Sequence, residues 1–90
     1  MSSIEELRKD IETIDRQMIE LFEKRMSVSA KIAAYKKENN IPVLDKEREK
    51  ALSAKNVANL RNKEFEEYYK DFFTGMLDAS KKYQHDILGD

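Results

Sequence analysis

The sequence predicts an all-α protein of three helices, the first much the longest, assembled as an intertwined six-helix homodimer. Three observations carry that prediction. One proline and two glycines among 90 residues leave little punctuation, so long helices with short connections are expected. Apolar residues recur with a 4–3 alternation from the start of the chain. The stripe they draw is also too long for a single small domain to cover.

The first helix starts at Ile4. Its apolar row runs Ile4, Leu7, Ile11, Ile14, Met18, Leu21, then Arg25, then Val28, Ile32 and Tyr35, a continuous seam of more than four heptads. The helix is expected to stop near Asn39 and Asn40, which tolerate left-handed capping geometry, because Pro42 disfavours helix at Ile41 and lacks a donor. Asp45 then caps a second helix reaching about Arg61, with Ala51, Leu52, Val57 and Leu60 among its apolar residues. Asn62 breaks it. A third helix follows from about Glu64 to Ile87, with Phe65, Tyr69, Phe72, Phe73, Met76, Leu77 and Tyr83 toward one side. Gly75 inside it costs about 1 kcal/mol relative to alanine. At 1.5 Å per residue the first helix, of about 35 residues, spans roughly 52 Å, whereas a compact domain of this size is about 30 Å across. Two further helices cover only part of the seam, so a second copy, related by a two-fold axis near the helix middle, is expected to cover the rest.

Composition excludes several functions. Seventeen Lys and Arg against 18 Asp and Glu give a net charge of −1, with signs interleaved, so no basic stripe offers itself to nucleic acid. The absence of cysteine removes disulfide, thiol-nucleophile and thiolate-metal chemistry. A single His85 with scattered carboxylates makes no zinc ligand set. No metal or cofactor is expected. The start of the chain, Met1 to Leu7, lacks a basic segment followed by an apolar run, and no apolar stretch approaches the ~20 residues of a membrane span. Residues 1–90 read as one cytoplasmic domain without repeats or linkers.

Polar residues on apolar rows are then the informative ones. Arg25 takes an aliphatic position, where a guanidinium out of water needs an anionic partner. Lys36 lies three turns on, within about 20° of the same face and roughly 16 Å along the axis. The two could bracket a small anion. On the third helix Ser80 and Gln84 extend the row of Phe73 and Leu77 at i, i+4 spacing, and on the second Asp45, Arg48 and Glu49 share a face. Arg8 sits about 25 Å before Arg25 on the helix axis and cannot reach the same ligand in cis. In an antiparallel pair centred near residue 20 or 21, however, Arg8 of the partner subunit stands opposite residues 32–34, beside Lys36. A plainer alternative stands beside each: a register-setting ion pair for Arg25, a helix end complementing the dipole for Lys36 with Lys37, a cap for Asp45, and solvated charges for Arg48 and Glu49. Ser80 and Gln84 could be satisfied interhelical hydrogen bonds, and Arg8 a surface residue. His85 and the Lys81, Lys82 pair read as a solvent-facing tail. The four Tyr and four Phe read as core. Spacing by itself supports an anion-binding helical dimer.

These residues also carry a family resemblance. The chain resembles the all-helical, type II chorismate mutases in Leu7-Arg8 with Ile11, Ile14 and Asp15; in Arg25; in Lys36; in the stretch Pro42-Val43-Leu44-Asp45-Lys46-Glu47-Arg48-Glu49; and in Ser80 with Gln84. The match runs from about Ile4 to Gln84 in the family's order and approximate spacing. Leu44 departs from it, since some members carry a basic residue there near the pocket mouth. The resemblance implies a three-helix protomer, an intertwined dimer with two equivalent active sites, and cofactor-free conversion of chorismate to prephenate. It further implies that Arg25 and Arg8 of the partner subunit clamp the substrate carboxylates with help from Ser80. Lys36 and Gln84 would aim donors at the ether oxygen, and Glu49 would accept from the ring hydroxyl, with the Asp45 backbone nearby and Arg48 orienting the acidic pair. Two other functions fit the same pattern: a lyase of this fold that eliminates pyruvate from isochorismate, and a non-catalytic helical dimerisation or regulatory module.

Overall fold

The first helix forms where the seam requires it, and its ends are closed by side chains. In the computed structural model, which describes residues 3–89, α1 spans Ile4–Glu38; Met1, Ser2 and Asp90 lie outside the described residues. Ser3 accepts from the Glu6 amide at 3.1 Å, and Glu5 and Glu6 complement the positive end of the helix dipole. At the other end Asn40 takes a left-handed conformation, φ 55°. The Ile41 amide then returns to the Lys36 carbonyl at 2.8 Å and the Asn40 amide to that of Lys37 at 3.4 Å. This 6→1 and 5→2 pairing is the Schellman closure that an asparagine followed by Ile41-Pro42 favours.

The short connection ends at Asp45, whose carboxylate accepts from the Arg48 amide at 3.0 Å and starts α2, Lys46–Ala58. The helix stops short of Arg61, the expected end. The Asn59 and Leu60 amides tighten onto i−3 carbonyls, and the Lys63 ammonium takes the carbonyls of Val57 and Ala58, each at 3.2 Å. Asn62 begins a new element, accepting from the Glu64 amide at 3.0 Å. A 3₁₀ turn over Lys63–Phe65 follows, so α3 runs Glu66–Leu88 and starts slightly later than expected. It continues through Gly75, and Gly89 closes it in the left-handed region at φ 79°. Among the described residues there is no strand, and no helix is long and apolar enough to cross a membrane.

Packing is concentrated at one end. The second half of α1 lies against α3, which α2 also touches. The buried apolar residues are Ala33, Val43 and Phe73, with the Tyr69 ring stacked on Phe73 at 5.6 Å. Every residue from 3 to 24 is exposed, including Leu7, Ile11, Ile14, Met18 and Leu21 on the seam. The molecule measures 56 × 24 × 16 Å, with a radius of gyration of 16.3 Å, against about 12 Å for a compact domain of this length. An open, mostly apolar groove of about 910 Å³ separates the middle of α1 from α3, lined by Met18, Ile19, Leu21 and Phe22 on one side and Phe72, Met76 and Ala79 on the other.

Candidate functional site

Where α1 meets α3, polar side chains occupy positions that carbon would fill in an ordinary helix interface. Gln84 is 6% exposed, Ser80 8% and Ser29 3%. The Gln84 Nε2 donates to Ser29 Oγ at 3.0 Å, and the Ser29 and Ser80 hydroxyls lie 2.7 Å apart. From the rim, the half-buried Lys36 Nζ donates to the Val43 carbonyl at 3.1 Å and, over a longer 3.4 Å, to Gln84 Oε1. Among the described residues no buried side-chain polar atom lacks a partner, as a buried polar cluster requires.

The pattern of donors orients the amide. An ammonium only donates, so the Gln84 oxygen faces Lys36 and its nitrogen faces Ser29. Lys36 then commits two of three N–H groups and Gln84 one of two. Each keeps one N–H, and both come from the same small neighbourhood. When Ser29 donates to Ser80, the Ser80 hydroxyl also keeps its proton for a ligand.

Arg25 is half-buried on the same face of α1, its guanidinium 5.8 Å from the centroid of the Phe73 ring. Within the chain the cation meets an aromatic face, a contact that steadies it without neutralising it. Its charge stays available. Asp45 spends its carboxylate on the α2 cap. Glu49, one turn further, reaches α3 instead of Arg48: Lys81 Nζ lies 3.0 Å from Glu49 Oε1 and 3.5 Å from Asp78 Oδ1. The Glu49 contact, with Asp78 adding to it, raises the Lys81 pKa above the ordinary 10.5 against the opposing effect of desolvation. Of the acidic pair, Asp45 is met by the Arg48 amide and Glu49 by Lys81, while Arg48 itself is exposed. The reading of Lys81 and His85 as solvent-facing tail is corrected; both are half-buried.

The structure thus brings together Lys36, Ser80 and Gln84, sets Arg25 on the same helix face and holds Glu49 against α3. Arg8 is exposed on the uncovered half of α1, remote from the others. Sequence reasoning missed Ser29 and Lys81. Ser29 had a signal, being one turn after Arg25 and two turns before Lys36 on the row they define. Lys81 had none, because its partner is chosen by how α2 leans on α3.

Fold and cluster define the class: an all-α protein with cationic, amide and hydroxyl donors gathered between its first and third helices. The sequence matches the model of chorismate mutase type II over residues 7–85, and the chain belongs to that family. It is also 33% identical over 52 residues to the T-protein of Haemophilus influenzae (strain ATCC 51907 / DSM 11121 / KW20 / Rd), a stretch covering 58% of this chain and 14% of that relative. No solved structure matches it.

Proposed function

We propose that this chain is an isomerase that rearranges chorismate to prephenate in the cytoplasm, a step toward phenylalanine and tyrosine, acting without cofactor as an intertwined homodimer. The observation that carries this reading is the pair of uncommitted N–H groups on Lys36 and Gln84, held side by side by Val43 and Ser29. Chorismate is a small dianion whose ether bond breaks as a carbon–carbon bond forms at the ring, in one pericyclic step. No nucleophile or proton relay is needed. The enzyme must fold the side chain over the ring and stabilise negative charge growing on the ether oxygen. Lys36 and Gln84 supply two donors for that oxygen.

The remaining residues bind. Arg25 and Arg8 of the partner subunit take the carboxylates through their forked donors, and Ser80 adds a hydroxyl. Glu49 accepts from the ring hydroxyl, with Asp45 and Arg48 bordering it at the start of α2. The reading of the partner as a second copy is supported by the uncovered seam, the open groove and the elongated shape. A two-fold axis near residue 20 or 21 returns Arg8 to the site. An acceleration of about 10⁶ requires about 8 kcal/mol, a size within reach of conformational restriction and preorganised donors.

The test is consumption of chorismate with the product identified by mass. Prephenate is the expected product. Pyruvate and salicylate formed from isochorismate would assign the lyase reaction instead, and failure to bind either dianion would leave a non-catalytic dimerisation module.

A further inference from the structure

Glu49 poses an electrostatic difficulty for the reading just given. It places a carboxylate beside a substrate that already carries two negative charges, in a site where Lys36 and Arg25 are the cations contributed in cis. An unpaired Glu49 would offset one of them and repel the ligand at the distance of a hydrogen bond.

Lys81 removes that difficulty. Its Nζ takes one Glu49 oxygen, Oε1, at 3.0 Å, with the two side chains only 29% and 24% exposed. A pair so sheltered is screened less than one in open water. Asp78, 66% exposed and one turn back on α3, holds the ammonium from the solvent side at 3.5 Å. Lys81 follows Ser80 directly and stands one turn before Gln84, so one stretch of α3 presents hydroxyl, ammonium and amide. With Oε1 turned to the ammonium, Oε2 is the less engaged oxygen for a ligand hydroxyl.

We propose that Lys81 is a positioning residue of the active site, neutralising Glu49 against the dianionic substrate and fixing which of its oxygens meets the ring hydroxyl. The inference rests on the chorismate reading. Lys81 touches no reacting atom, so its effect falls on substrate binding, common to ground and transition states, more than on the chemical step.

Steady-state kinetics with chorismate on the full chain, carrying Lys81→Met, Lys81→Arg, Glu49→Gln and the Lys81→Met/Glu49→Gln double change, tests this. Lys81→Met should raise KM about tenfold with kcat within about threefold, the scale of one partly screened charge contact. Lys81→Arg should restore KM to near the unsubstituted value, and Lys81→Met should add nothing once Glu49→Gln has removed the charge to be balanced. A tether that merely joins α2 to α3 would lower the melting temperature and leave KM of the folded enzyme unchanged; that result overturns the proposal. If Lys81→Met does not fold, Lys81→Gln decides: a KM raised about as much, with no further rise in the Glu49→Gln background, supports the role, and an unchanged KM overturns it. An unsubstituted chain that forms no prephenate defeats the chorismate reading itself, whereas an active chain indifferent to Lys81→Met defeats only this inference.

Discussion

Lys36 and Gln84 share one hydrogen bond, and its length of 3.4 Å marks it as a weak contact that a better acceptor displaces. Because the Lys36 ammonium would meet most charge in the transition state, Lys36→Ala should lower kcat by about 10² or more with a smaller change in KM; single-turnover rates check this. Gln84→Glu should move the activity optimum toward acid. A carboxyl donates only while protonated, and once ionised it repels charge developing on the ether oxygen, so the rate should fall as pH rises through the new carboxyl's pKa; a pH–rate profile reads it directly. Much of this cluster was legible in the sequence, because a cation, a hydroxyl and an amide on greasy rows contradict the rule that such rows bury carbon. Ser29 escaped notice because serine is small enough to pass as a neutral helix residue, and its partner on α3 is visible only when two helices are docked.

At the scale of elements, the boundaries closed by chemistry local in sequence matched expectation: Asp45 as an N-cap, Asn40 before Pro42 as a left-handed stop. Those set by non-local groups did not. The end of α2 depends on the Lys63 ammonium arriving from beyond the break, and periodicity within α2 holds no record of it. The contact between α2 and α3 has a consequence in alkali. Because Glu49 raises the folded-state pKa of Lys81 above 10.5, the contribution of that contact is complete below about 10.5 and is lost as pH climbs through the higher folded value. Lys81→Met should therefore show a shallower loss of stability on the alkaline side, measured as melting temperature against pH above 10.

At the scale of the molecule, the long seam, the surplus apolar surface and Arg8 lying far from Arg25 and Lys36 call for one explanation. Each is accounted for if the functional unit contains two chains. Mixing Arg8→Ala with Arg25→Ala protein should then regenerate activity that neither has alone, since a mixed pair holds one site with both arginines intact. Activity assays after demonstrated subunit exchange check it, and no recovery would place Arg8 outside the site. That the chain alone leaves much of the first helix uncovered was legible from the helix length, by comparing a rod of about 52 Å with a sphere of about 30 Å. The register of the proposed pairing is not legible there, because a seam of repeating heptads is compatible with more than one offset.

If the bare first half of α1 is covered by a second copy, dilution becomes a structural variable. Residues 3–24 are all exposed, so in the proposed homodimer ordering them into a core is a second-order event. Thermal midpoints should climb with protein concentration, and refolding after denaturant dilution should accelerate as more chain is present. Calorimetry and stopped-flow traces over a hundredfold range would show it; midpoints and rates indifferent to concentration would mean that this rod stands alone.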